Sequence, residues 1–273
     1  MKPIWSAKKA LIWTLLAIGA IIMMTPIIFM FSASFKYNDQ LYDLALISSE
    51  PTLSNYVYLS QNTQFLTWMV NSFIVAIIVT LSVLFFDALI GYTLCKFRFK
   101  GRTVIFVAIL STLMIPTEML VIPWYIVAKD LGILDSYLGL IFPGLMSGFG
   151  VFLMKQFFQG VPDEYLDAAR IDGLNEFQIF IEVALPLVTP ALSALAIFTF
   201  LGNWTAFLWP LIVTSSADLY TIPVGLSSFS GEFQSEWQMI MTGAAVASLP
   251  TIMIFLLLQR YIIRGVILGG LKG

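Results

Sequence analysis

Six apolar runs, at about 10–33, 66–95, 104–127, 137–158, 187–214 and 239–263, leave this chain few ways to fold. Each is long enough for the roughly 20 helical residues that cross a bilayer core. Between them polarity is scarce: 59% of the residues are hydrophobic and 11% charged, where a soluble domain carries about 25% charged. The expected fold class is an all-α integral membrane protein with six transmembrane helices, forming a single transmembrane domain over residues 1–273.

The basic residues set the orientation. With the N-terminus cytoplasmic, Lys2, Lys8, Lys9, Lys96, Arg98, Lys100, Arg102, Lys155, Arg170, Arg260, Arg264 and Lys272 all fall on the cytoplasmic side. Those are twelve of the fourteen Lys and Arg; Lys36 and Lys129 fall outside. The positive-inside rule then places both termini in the cytoplasm, along with segment 160–186. Trp68, Trp124, Trp209 and Trp237 fall near outer span ends, as an interfacial aromatic belt requires. Lys8 and Lys9 ahead of an apolar run resemble a secretory signal, but the run is too long for a 7 to 15 residue signal core, so the expectation is an uncleaved first span.

Absences exclude several chemistries. The chain has no histidine, which removes the commonest general base and any histidine-ligated metal. Its one cysteine, Cys95, has no internal disulfide partner and reads as a small apolar residue. No Gly-Lys dipeptide occurs, hence no phosphate loop of the Walker A kind, and ATP-driven work would need another polypeptide. No basic cluster with interleaved aromatics points to nucleic acid. The exterior segments 34–65 and 215–238 are rich in turn-forming residues and are candidate surfaces for an external partner.

Segment 160–186, GVPDEYLDAARIDGLNEFQIFIEVALP, is polar yet highly organised. Pro162 suits a helix start, Asp163, Glu164 and Asp167 sit where the helix dipole favours negative charge, and Gly173 ends the helix. Asn175 with Gln178 three residues on has the pattern of a capping box, and Pro186 stops the second helix or hands it to the next apolar run. The reading is helix, glycine turn, helix.

Polar residues inside the spans are costly and need partners. Asp87 lies roughly 13 Å along a helix axis from Lys96, deep in the hydrocarbon layer. A hydrogen bond to a neighbouring helix is its first reading and substrate contact its second. Asn71 with Ser72, and Asn203 with Trp204, offer the amide, hydroxyl and aromatic groups that bind sugars, or else hold helices together. Asn203 and Trp204 point about 100° apart on a helix and so cannot share one direction. Glu118, after the break at Pro116, reads as an outer-surface residue.

The spacing Asp167-Ala168-Ala169, three residues, Gly173, nine residues, Val183, one residue, Leu185-Pro186 resembles the EAA loop of the membrane subunits of bacterial ABC importers. Asp167 stands where that family usually has Glu, and Val183 where it has Ile. The resemblance covers nearly the whole chain. It includes Asn71-Ser72, Gly91-Tyr92, Phe97-Arg98-Phe99-Lys100-Gly101, Leu113-Met114-Ile115-Pro116, Asn203, Ile222-Pro223-Val224-Gly225-Leu226, Gln259-Arg260-Tyr261 and the ending Gly269-Gly270-Leu271-Lys272-Gly273. These are similar to the carbohydrate-uptake, binding-protein-dependent branch, and within it to the smaller, maltose-transporter G-type permease. Asp87 stands where small residues are usual.

That resemblance implies the type I ABC importer permease fold in a bacterial cytoplasmic (inner) membrane, and import of a sugar. It implies a second homologous permease, an ATPase homodimer at the cytoplasmic face that binds ATP and Mg²⁺, and an extracytoplasmic solute-binding protein. Glu164, Asp167, Ala168, Ala169 and Gly173 would form a coupling helix entering a cleft on the ATPase, with Leu185 and Pro186 closing the motif. Asn71, Asp87, Asn203 and Trp204 are the candidates for the substrate path; no catalytic or metal site and no cofactor is expected in this chain. Alternatives are a permease for a non-sugar solute such as glycerol phosphate, a secondary transporter, which needs no docking loop, and an intramembrane enzyme, which would need a catalytic constellation that the spans lack.

Overall fold

A computed structural model of the chain describes residues 7–37, 45, 50–231 and 236–270. Lys2, the ending Leu271-Lys272-Gly273 and parts of both exterior segments lie outside the described residues. The helices follow in order: α1 (Ala7–Ser34), α2 (Ser54–Gln61), α3 (Phe65–Lys96), α4 (Arg102–Thr112), α5 (Val121–Asp130), α6 (Tyr137–Ile141), α7 (Gly148–Gln159) and α8 (Asp163–Ile171). They continue with α9 (Glu176–Leu187), α10 (Thr189–Trp204), α11 (Leu208–Val213), α12 (Ile222–Ser227) and α13 (Trp237–Gly270).

Three helices are by themselves long and apolar enough to cross a membrane: α1, α3 and α13. The other three expected spans are each broken. The pair α4 and α5 turns through 95° across residues 113–116, α6 and α7 meet at 45°, and α9 and α10 at 84°. Sequence reading treats each as one run, and this is the main correction to it. Proline marks two of the three breaks: Pro116 has no N–H to give and forces the residue before it away from the helical region, and Pro190 lies in the first turn of α10. The run at 187–214 is also not one helix, since α10 ends at Trp204 and α11 begins at Leu208. The second helix expected after the Asn175 cap runs from Glu176 across Pro186 to Leu187, by way of a wide π-turn at Ile179–Ala184, so the proline does not stop it. An α-turn there would press the Pro186 ring against the Glu182 carbonyl.

The chain forms two compact units. One comprises residues 1–66 and 225–249. In it Asn55 donates to the carbonyls of Ser34 (3.1 Å) and Lys36 (2.8 Å), satisfying orphan acceptors where α1 ends. The surface of α1 is apolar and exposed over most of residues 10–28, as a lipid-facing helix must be, and becomes buried only at Ala33 and Ser34. The larger unit comprises residues 67–224 and 250–273. Its core is α3: Val75, Val79, Val83, Ala88 and Tyr92 pack with Met154 and Phe158 of α7, Leu166 and Ala169 of α8, Ile179, Phe180 and Ala184 of α9, and Ala191 and Leu195 of α10. Helix α7 comes so close to α3 that a Cβ at Gly91 would lie 2.8 Å from the Lys155 nitrogen.

Candidate functional site

The polar segment builds a rigid corner on that core. Helix α8 begins after Pro162, with Asp163 and Glu164 in its first turn, and its C-terminus closes as a Schellman motif. The Leu174 N–H donates to the Ala169 carbonyl and the Gly173 N–H to the Arg170 carbonyl, both at 3.1 Å, and Gly173 sits at φ +88°. A Cβ at Gly173 would meet nothing within 4 Å, so what the position demands is left-handed backbone, not space. Helix α9 opens with the reciprocal capping box, Asn175 accepting from the Gln178 N–H and Gln178 accepting from the Asn175 N–H, each at 2.9 Å.

Three ion pairs fix the corner. The Arg170 guanidinium pairs with Asp167 at 2.6 Å on its own helix and, through two N–H groups at 2.7 and 3.1 Å, with Glu176 on α9. These carboxylates raise the Arg170 pKa, the hydrogen bond to Glu176 most of all. At the other end Lys96, the last residue of α3, donates to the Asp163 carboxylate and to the Val161 carbonyl, each at 2.6 Å. That hydrogen bond, with the charge behind it, holds the Asp163 carboxyl below the usual carboxylate range.

The arrangement separates residues that the sequence groups together. Ala169 and Leu166 are buried in the core, whereas Glu164, Asp167, Ala168 and Gly173 are exposed. Beside them the corner presents three large apolar side chains to the outside: Tyr165, Ile171 (87% exposed) and Phe177. Sequence reading did not single these out. Helical spacing could have found two of them, because Glu164, Ala168 and Ile171 share one face at i, i+4 and i+7 with Tyr165 beside it. Leu185 is half-buried and Pro186 exposed at the end of α9.

The substrate-path candidates are spread out. Asn71 is 1% exposed and fully engaged, donating to the Asp218 and Tyr220 carbonyls at 2.7 and 2.9 Å and accepting from the Tyr137 hydroxyl. Its neighbour Ser72 accepts from the Ile222 N–H at 2.8 Å, and the Trp68 indole donates to the Ala217 carbonyl. These residues clasp segment 217–222, and Asp135 holds the preceding Ser215 and Ser216 N–H groups. The Ser216 hydroxyl, the strongest influence, and those N–H groups keep the Asp135 carboxyl below its ordinary value. Like the Trp68 indole, the Trp209 indole donates to a backbone carbonyl, that of Gly139.

Asp87, on α3 about 24 Å from Asn71 along the axis, is completely buried. It accepts from the Ser147 N–H at 3.0 Å and the Ser147 hydroxyl at 2.8 Å, while that hydroxyl caps α7 at Gly150. This is the helix-to-helix bond that was its first reading. Trp204 is buried between Phe73 and Phe200. Asn203 alone of the four candidates is partly open; its amide nitrogen bonds back to the Thr199 carbonyl.

This fold has clear relatives. Residues 88–268 match the family described as binding-protein-dependent transport system inner membrane component, and the chain belongs to that family. It is 37% identical over 259 residues to the arabinooligosaccharides transport system permease protein AraQ of Bacillus subtilis (strain 168), covering 93% of this chain and 92% of that one. Over 263 residues it is 32% identical to the sn-glycerol-3-phosphate transport system permease protein UgpE of Yersinia pestis, covering 93% and 94%. A solved bacterial ABC transporter involved in the import of the acidic polysaccharide alginate shares the fold, with a TM-score of 0.85 and 24% identity over 96% of this chain and 100% of that one.

Proposed function

We propose that the chain is the permease subunit of an ATP-driven, binding-protein-dependent sugar importer of a bacterial inner membrane, forming half of the translocation pathway with a second, homologous permease. The three long helices and the three bent pairs are then six spans, with both termini and α8 in the cytoplasm. ATP and Mg²⁺ belong to a separate ATPase homodimer, and solute arrives on an extracytoplasmic binding protein. The observation that carries the coupling role is the α8–α9 corner: a braced, exposed turn with Tyr165, Ala168, Ile171 and Phe177 facing outward. Apolar side chains on a charged surface mark a protein contact. Closure of the ATPase dimer would carry α8 with it, and α9 would pass the motion into α10.

The exposed and buried alanines separate docking from folding. Ala168→Trp is expected to fold but to lose co-purifying ATPase and uptake, whereas Ala169→Trp fails to accumulate because Ala169 is in the core. Full ATPase binding and full uptake in Ala168→Trp would overturn the assignment.

A neutral oligosaccharide is favoured over glycerol phosphate because neither Phe65 to Cys95 nor α10 contains a Lys or Arg to meet a phosphate within the bilayer. In the reconstituted complex with its binding protein, ATP hydrolysis is expected to respond to arabinooligosaccharides or related neutral sugars. Stimulation by glycerol 3-phosphate alone would select the other reading.

A further inference from the structure

The turn from α3 to α4 carries positive charge beyond the Lys96 that anchors the coupling corner. A cavity of about 490 Å³ opens there, lined by Arg98, Phe99, Gly101, Arg102, Thr103 and Val104. Lys96 and Arg170 nearby are matched by carboxylates, but Arg98 and Arg102 pair with no carboxylate among the described residues. Arg102 is half-buried and gives one N–H to the Phe97 carbonyl at 3.2 Å, which fixes its guanidinium beside the cavity with further donors to spare. Next to these cations begins an apolar strip. No residue of α4 is buried, and Val104, Ile105 and Val107 are 73%, 46% and 56% exposed, with Phe99 exposed at the cavity wall. Cation and strip meet at the start of α4.

We propose that this cavity is a binding site for the phosphate headgroup of an anionic glycerophospholipid. Arg98 and Arg102 take the phosphate oxygens through charge-assisted hydrogen bonds, Thr103 offers its hydroxyl, and an acyl chain lies along Val104, Ile105 and Val107. Free phosphate would satisfy the guanidiniums equally but would leave the strip uncovered, so the amphiphile is the better match. The proposal rests on α3 and α4 lying in a bilayer.

The test is native mass spectrometry of the assembled transporter, delipidated in mild detergent and titrated with phosphatidylglycerol or phosphatidylcholine of the same chain length. The expected result is a several-fold preference for phosphatidylglycerol that Arg98→Gln/Arg102→Gln abolishes. Lys9→Gln/Lys129→Gln, removing equal charge elsewhere, should preserve it. Arg98→Gln alone, at an exposed position, keeps the test open if the double variant does not assemble, and should weaken the preference about twofold. A preference unchanged in Arg98→Gln overturns the site, and displacement of the lipid by millimolar inorganic phosphate overturns the lipid assignment. Loss of the ATPase from Arg98→Gln with lipid retention intact would instead assign the surface to that subunit. A chain absent from the membrane fraction would defeat the bilayer reading itself, which the other outcomes leave untouched.

Discussion

Asp87 and Gly150 make one structural device. A Cβ at Gly150 would lie 2.1 Å from the Asp87 Oδ2, so the buried carboxylate reaches Ser147 only because the residue that Ser147 caps has no side chain. Gly150→Ala should therefore cost about 1–3 kcal/mol by overpacking, and much less in an Asp87→Ala background. Denaturation of the four variants in mixed micelles measures the difference; strictly additive costs would mean that the glycine makes room for something else. Tyr92 gives the opposite prediction. Its ring packs against Phe97, Phe158 and Phe180, and its hydroxyl is buried without a hydrogen-bond partner among the described residues. Tyr92→Phe should raise the midpoint, by about 1 kcal/mol of stability; a fall would reveal an undetected partner for the hydroxyl. The sequence marks Asp87 as a costly charge, but its partner stands sixty positions away, and no local spacing encodes that contact. Asn71 is similar: its identity is legible, and its three partners in other segments are not.

At the scale of elements, α8, the glycine turn and the start of α9 are legible almost to the residue, because caps and left-handed turns are decided by a handful of neighbouring residues. Pro162, Gly173, Asn175 and Gln178 act within a few positions of themselves. The Arg170 to Glu176 pair is not legible, since it closes across a turn and follows no helical spacing. Nor are the bend angles: Pro116 and Pro190 announce breaks, but packing sets 95° or 84°. The anchor between Lys96 and Asp163 makes a pH prediction. A carboxyl held below its unfolded value contributes stability above that value, and the contribution is lost as pH falls through the lower, folded one. The thermal midpoint of the parent should exceed that of Asp163→Asn at pH 7, and the gap should narrow as the pH is taken below the ordinary carboxylate range. A gap that persists in acid would show that the contact acts by packing instead of charge.

For the molecule as a whole, orientation is the property on which the transport reading depends. Because Cys95 is the single cysteine and is half-buried, Cys95→Ser supplies a cysteine-free background. In it Ile171→Cys should react with an impermeant maleimide only when the cytoplasmic face is accessible, and Ala217→Cys only from the opposite face. Both positions are exposed, so labelling of the two from one side would refute the orientation. The bend at Val188 gives that orientation a mechanical meaning. With α9 at 84° to α10, the two helices form a bell-crank, the arm of which is about 18 Å long for twelve residues. If the joint is stiff, a sideways push of about 3 Å at Glu176 turns α10 by about 10°, so a small stroke outside the bilayer becomes a rotation within it.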